Sequence, residues 1–255
     1  MSFRTETLSL DGLSLRMRRG GSGAPLLYLH GTDGLSEWPA FLDALAERYE
    51  VFAPDHPGFG GTECPEWMDD VSDLAYFYLD VMDALGFRDA RVVGHSLGGW
   101  IALEAAVRNQ SRIKDLTLIA SAGVHVRGHA KADIFMIDPD EQARLAYADP
   151  QMAEEAAQKA LADKYQDVAI TDRIASARFG WNPRFHNPRL GRWLHRVNAP
   201  TLIVWGEQDR IFPPVTGPAM QALIPGSQLV VIPDCGHLPH VEKMDATLAA
   251  MGCAR

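Results

Sequence analysis

Three residue types in this chain could together make a nucleophile: a serine, a histidine and an aspartate, each at the end of an apolar run. The serine lies in Arg91-Val92-Val93-Gly94-His95-Ser96-Leu97-Gly98-Gly99-Trp100. A short apolar strand leads into Gly-x-Ser-x-Gly, and a helical run, Ile101-Ala102-Leu103-Glu104-Ala105-Ala106-Val107, follows at once. A serine on such a tight strand-to-helix turn adopts a strained backbone that pushes its hydroxyl out at the sheet edge. Gly94 and Gly98 let the helix pack close to the strand, and the helix N-terminus aims unpaired amides, Leu97 N–H first, at charge developing beside Ser96. A serine hydroxyl is a weak nucleophile until a base takes its proton, and that base needs an acid to orient it. Two later strand ends supply such groups: Trp205-Gly206-Glu207-Gln208-Asp209-Arg210 and Ile232-Pro233-Asp234-Cys235-Gly236-His237.

The elements that must hold these residues are legible around them. Two alternating runs, 3–10 and 13–19, flank Asp11-Gly12, a hairpin signal. Continuous apolar runs at 25–29, 51–54, 113–120, 200–205 and 228–232 read as strands covered on both faces. Residues 38–49 and 71–86 have helical periodicity, the second closed by Gly86. Strand alternating with helix predicts an α/β fold, a mostly parallel twisted sheet wrapped on both sides, with loops at strand ends supplying function. The rhythm breaks in the middle. Residues 124–195 are polar and helical, with helices expected at 140–147 and 151–165, and they carry Phe135, Met136, Phe179, Trp181, Phe185 and Trp193. The expected organisation is a core of 1–123 and 196–255 with a helical cap of 124–195 inserted over the C-terminal edge of the sheet.

Composition bounds the rest. The chain has 255 residues, 47% hydrophobic and 22% charged, enough for one large domain or one carrying an insertion. A net charge of −9 argues against nucleic acid and anionic membrane surfaces as partners. No run approaches the ~18 apolar residues of a membrane span, and residues 1–10 lack the apolar core of a signal peptide. Cys64, Cys235 and Cys253 are too scattered for a disulfide framework or a zinc knuckle. A reduced, cytoplasmic protein without metal or cofactor is the simplest reading.

Five short motifs in order, each at a strand end, carry a resemblance. They are His30-Gly31, Asp55-x-Pro57-Gly58-x-Gly60, Gly94-His95-Ser96-Leu97-Gly98, Trp205-Gly206-x-x-Asp209 and Gly236-His237. With these the chain resembles the α/β-hydrolase superfamily in its capped, cofactor-free branch, over nearly its whole length. The resemblance implies Ser96 as nucleophile, His237 as general base and Asp209 as the orienting acid. It also implies an oxyanion hole from the backbone N–H groups of Leu97 and Thr32. Asp33, beside Thr32, is the poorer donor, since its carboxylate would repel an oxyanion. His30 reads as structural, pinning its loop.

Each role has a rival. Glu207 is the nearest alternative acid and falls two residues short of the matching position. His240 lies close to His237 but at the start of the next helix, and His95 reads as packing. His125-x-x-x-His129 has metal-compatible spacing, with no acidic ligand near it. The expected substrate is a small-molecule carboxylic ester. Carbon–carbon hydrolysis of ring-cleavage products comes second, because those relatives carry Asn and Met around the serine and Trp after the histidine, where His95, Leu97 and Leu238 stand here. A cofactor-free peroxidase comes third, and a non-catalytic small-molecule receptor on the same fold is the alternative of another class. Met136, Trp181 and Phe185 are the expected pocket residues, and Trp193 the residue that fixes the insertion to the core.

Overall fold

Asp11 and Gly12 sit at positive φ, 49° and 82°, the backbone of a two-residue turn whose twist matches the strands it joins. Strands β1 (Phe3–Leu10) and β2 (Leu13–Gly20) therefore pair antiparallel with Leu10 opposite Leu13. The computed structural model describes residues 3–35 and 37–254, with backbone alone at 163–166. Six more strands follow: β3 (Ala24–Leu29), β4 (Tyr49–Pro54), β5 (Ala90–His95), β6 (Ile113–Ile119), β7 (Thr201–Gly206) and β8 (Gln228–Ile232). All belong to one eight-stranded sheet, in the order β1-β2-β4-β3-β5-β6-β7-β8. β2 meets β4 antiparallel, and every pair from β4 to β8 is parallel.

Helices cover both faces: α1 (Ala40–Ala46), α2 (Val71–Ala84), α3 (Leu97–Arg108), α7 (Thr216–Leu223), α8 (Pro239–Glu242) and α9 (Met244–Ala250). The period of two along the strands sorts the core into two layers. Leu27, Leu29, Val92, Leu116 and Leu118 pack with Tyr78 of α2 and Ile101 of α3. Leu26, Tyr28, Val93, Ile119 and Val204 face Phe41 and Leu45 of α1 and Leu248 of α9. That is why the central strands read as continuous apolar runs.

Between β6 and β7 the chain forms α4 (Pro139–Ala146), α5 (Pro150–Ala160) and α6 (Asp163–Gly180), then two 3-10 turns, Leu190–Arg192 and Leu194–Arg196. Two helix expectations need correction. The helix expected over 38–49 is only α1, because Pro39 takes the extended N-cap position and Tyr49 is drawn into β4. The helix expected over 151–165 stops at Leu161, and extended Ala162 starts α6 on a new axis. No Gly or Pro marks that break, so the helical pattern runs through it. Trp193 is also corrected: Leu190 and Leu194 are fully buried, while Trp193 between the two turns is 49% exposed. Leucines on one face of the turns, not the tryptophan, hold this segment to the core.

The approach of α3 to the sheet leaves no room for a side chain at Gly98, where a Cβ would meet the Leu29 carbonyl oxygen at 2.0 Å. Gly98→Ala should lower stability by about 1–3 kcal/mol, read as a fall in Tm of several degrees. Gly191→Ala is the control, since its Cβ would meet nothing closer than Leu223 at 3.6 Å. Equal melting temperatures for the two variants would refute the close-packing account.

Candidate active site

β5 runs straight into α3, and the residue between them is Ser96, at φ 51° and ψ −112°. A non-glycine residue there is strained by ~1–3 kcal/mol, and the surrounding hydrogen bonds must fix it. Ser96 N–H donates to the Ile119 carbonyl at 3.0 Å, and the Ser96 carbonyl accepts from Trp100 N–H at 3.2 Å and Ala122 N–H at 3.0 Å. At Gly94 a Cβ would meet the Gly98 carbonyl oxygen at 2.5 Å. Leu97 opens the helix, where its N–H has no carbonyl a turn behind it.

The loops after β7 and β8 interlock: a Cβ on Gly206 would meet the Gly236 carbonyl oxygen at 1.9 Å. Asp209 is buried and closes a local turn by accepting from Ile211 N–H at 2.8 Å and Phe212 N–H at 2.9 Å on Oδ1. Its Oδ2 accepts from His237 Nδ1–H at 2.9 Å, and Ser96 Oγ donates to His237 Nε2 at 3.1 Å. His237 is held at both ends of its peptide unit. Its N–H donates to the Ala146 carbonyl of α4 at 2.7 Å, and its carbonyl accepts from His95 Nε2–H at 3.1 Å. Glu242 accepts from Gly236 N–H at 2.6 Å and from Ala148 and Asp149 at 2.9 and 2.6 Å, tying this loop to the chain after α4.

The turn after β3 is fixed by neutral imidazoles. His30 Nδ1–H donates to the Gly31 carbonyl at 2.7 Å, while Nε2 accepts from His56 N–H at 3.0 Å. His56 stacks on His30 at 3.8 Å, donates Nε2–H to the His30 carbonyl at 2.9 Å and accepts from the Tyr78 hydroxyl at 2.5 Å. Burial lowers His30 to about 4 and pushes His56 well down, so both stay uncharged. The turn then passes Ser96 closely, since a Cβ on Gly31 would meet Ser96 Cβ at 3.3 Å. Half-buried Thr32 follows directly.

The structure thus brings Ser96, Asp209 and His237 together, with Leu97 next in the chain and Thr32 one residue past the glycine that packs on Ser96. Glu207 is exposed on the outer side of its loop, with its N–H on the Ile232 carbonyl at 2.9 Å. His240 lies behind His95, ring centres 4.5 Å apart, and His125 packs on His186 at 5.0 Å. Of the expected pocket residues, Phe185 is buried, stacked on Phe135 at 5.2 Å and edge-on to Phe212 at 6.3 Å. Trp181 is half exposed under the Arg184 guanidinium, 3.6 Å from its ring centre. Met136 needs correction: it is 72% exposed. Arg173 binds the carbonyls of Phe135 and Ile137 on either side, at 3.2 and 2.9 Å, and this leaves Met136 facing out.

Two residues at the site were missed in the sequence. Phe212 lies edge-on to His237 at 5.2 Å, and its only signal is its place three residues after Asp209. Ala146 supplies a carbonyl, which no residue type announces. A groove of about 350 Å³ between the β1–β2 turn and α2, lined by Asp11, Trp67, Tyr76 and Asp80, contains none of the three central residues. No helix among the described residues is long and apolar enough to cross a membrane.

The sequence pattern of the alpha/beta hydrolase family matches residues 26–250. The chain is 30% identical over 271 residues to the 2-hydroxy-6-oxo-6-phenylhexa-2,4-dienoate hydrolase of Burkholderia cepacia, covering 94% of this chain and 91% of that one. It is 26% identical over 245 residues to lipase 3 of Moraxella sp. (strain TA144), covering 89% and 75%. It is 29% identical over 246 residues to the dihydrolipoyllysine-residue acetyltransferase component of the acetoin cleaving system of Cupriavidus necator. That match takes in 92% of this chain but only 64% of that relative's length.

Behind the site, His240 tests the burial argument. Its Nδ1 has no partner among the described residues and its Nε2 lies 3.4 Å from the Tyr28 hydroxyl. Burial, with a smaller push from His237, lowers it to about 3. Unfolded, it takes a proton below about 6.5; folded, it resists until about 3. Its contribution is therefore complete above 6.5 and is lost as pH falls from there, at up to ~1.4 kcal/mol per pH unit. Urea unfolding of His240→Phe should match the wild type near pH 7.5 and fall less steeply towards pH 5. Parallel pH profiles would refute this assignment.

Proposed function

The chain belongs to the alpha/beta hydrolase family, and from that premise we propose that it is a serine hydrolase cleaving a small carboxylic ester through an acyl-enzyme. The observation that carries the reading is the unbroken chain of hydrogen bonds from Ser96 Oγ through His237 to Asp209, at 3.1 and 2.9 Å. In this reading His237 Nε2 takes the Ser96 proton as Oγ attacks the ester carbonyl carbon. Asp209 keeps Nδ1 protonated and steadies the imidazolium. The N–H groups of Leu97 and Thr32 stabilise the oxyanion. Collapse of the tetrahedral adduct breaks the bond to the alcohol oxygen, which leaves with the proton from His237. Water, deprotonated by the same imidazole, then attacks the acyl-enzyme and releases the acid.

Residues 124–195 act in this reading as a cap on a core of 1–123 and 196–255. Two contacts support that role: Ala146 at the end of α4 holds the amide of His237, and Phe185 reaches His237 through a single ring, Phe212. The apolar rings give an acyl chain a dry surface. Likeness to a lipase supports ester cleavage. Likeness to a dienoate hydrolase supports the second reading, hydrolysis of a carbon–carbon bond by the same three residues.

Short nitrophenyl esters and a ring-cleavage dienoate, assayed side by side, separate the two, and faster turnover of the dienoate would overturn the ester reading. A protein that only binds gives no multiple turnover of either. Ser96→Ala should lower kcat on the order of a millionfold and abolish labelling by a fluorophosphonate. Asp209→Asn should cost ~10⁴-fold while Glu207→Gln stays near wild type. The reverse order would move the acid to Glu207.

A further inference from the structure

The turn after β3 carries a charge that the ester mechanism leaves idle. Asp33 lies two residues past Gly31, the glycine packed against Ser96. Its Oδ1 accepts from Gln142 Nε2 at 3.5 Å. Gln142 sits on α4 one turn ahead of Ala146, whose carbonyl holds the His237 amide at 2.7 Å. On the other side, Gly34 abuts the carboxylate of Asp172 on α6, so close that a Cβ there would meet Oδ2 at 2.2 Å. Asp33 therefore closes a ring of contacts that begins at Ser96 and ends at His237.

Asp33 is open to solvent, yet the protein around it raises its carboxyl above the usual range, with His237 nearby acting the other way. Asp33 stands where the turn after β3 meets α4, one residue past Thr32. Its charge acts on its neighbours. Tyr147 is raised to about 12 by burial and then by Asp33, and Asp172 to about 6 by burial, with Asp55 and Asp33 adding to it. Tyr28 is raised by burial and Asp33 as well. Among the described residues, the side chain in hydrogen-bond contact with Asp33 is the amide of Gln142.

We propose that Asp33 sets the charge selectivity of the site. It favours esters with a cationic or hydrogen-bond-donating group beside the scissile carbonyl, and it turns away those with a carboxylate there. This rests on the reading of Ser96 and His237 as the reacting pair. A fixed carboxylate in a cleft, partly shielded from water, acts more strongly on a nearby ligand charge than it would at an open surface. A dienoate, anionic by its chemistry, would meet this charge, whereas a neutral or cationic ester would not be opposed by it.

The rival role is structural: Asp33 holds α4 through Gln142. Asp33→Asn separates the two, because the amide oxygen still accepts that bond while the charge is gone. Three acetate esters of similar shape serve as probes, ending in trimethylammonium, tert-butyl or carboxylate, with the tert-butyl ester as reference. Binding is measured by calorimetry at pH 8 and low salt on Ser96→Ala and on Ser96→Ala combined with Asp33→Asn. kcat/KM is measured on the proteins that keep Ser96.

With Asp33 present, the cationic probe should bind about 10-fold tighter than the reference and the anionic probe about 10-fold weaker. Both ratios should approach one with asparagine, and added salt should shrink them. Ratios that do not move on Asp33→Asn, or no binding of any probe, overturn the proposal. The binding ratios need no turnover. Moving ratios without ester cleavage would sink the hydrolase reading and leave Asp33 in its role; ester cleavage with fixed ratios would do the opposite.

Discussion

Everything at this site depends on one strained residue. Ser96 at φ 51° would relax into an ordinary helix start were its peptide groups not engaged by three partners. Those partners come from β6, from the residues just after it and from α3, so parallel pairing of β5 with β6 holds the turn open. The same pairing explains why glycine is needed at 94 and 98. With a helix leaving the strand at once, Cβ atoms there would collide with the backbone of α3 and with the carbonyl of Leu29. Strain at Ser96 and close packing of helix on sheet are one constraint seen twice.

A second constraint ties the proposed base to the segment between β6 and β7. His237 could be oriented by Asp209 alone, but its backbone is also fixed, by Ala146 on one side and His95 on the other. Glu242 then joins Gly236 to the residues after α4 through three N–H groups. A movement of α4 therefore carries the imidazole with it. Segment and base are mechanically coupled, and any opening that admits substrate past α4 works against these bonds. Lids that gate a site and complete it at once follow the same logic.

Much of this was legible beforehand because the informative signals were local. Six strands, β3 to β8, could be read from apolar runs, since helices cover both faces of the central sheet, and β1 and β2 from their alternation. Asp11-Gly12 announced its hairpin, and the five motifs at strand ends located Ser96, Asp209 and His237. What could not be read depends on contacts distant in sequence. The break at Leu161–Ala162 has no breaker residue, so the helical period hid it. Met136 looked like a pocket residue by its type, and Trp193 like the anchor by its place just before the return to the sheet. Their exposure is set by Arg173 and by the leucines at 190 and 194, which no spacing rule connects to them. The carbonyl of Ala146 is invisible for a different reason: every residue has one, and only the fold decides which is used.

Two carboxylates near His237 show how environment divides roles among identical groups. Asp209 is fully enclosed, and its oxygens accept two backbone N–H groups and the imidazole N–H at 2.8–2.9 Å. So many donors hold it in one orientation, as the proposed acid role requires. Among the described residues Asp33 has one long bond, to an amide, and its side chain is exposed. No described cation forms an ion pair with it. An enclosed carboxylate acts on the protein's own imidazole, whereas an open one acts on whatever enters. By residue type Asp33 and Asp209 are alike, each an aspartate in a loop after a strand; the number of donors around each is what separates them.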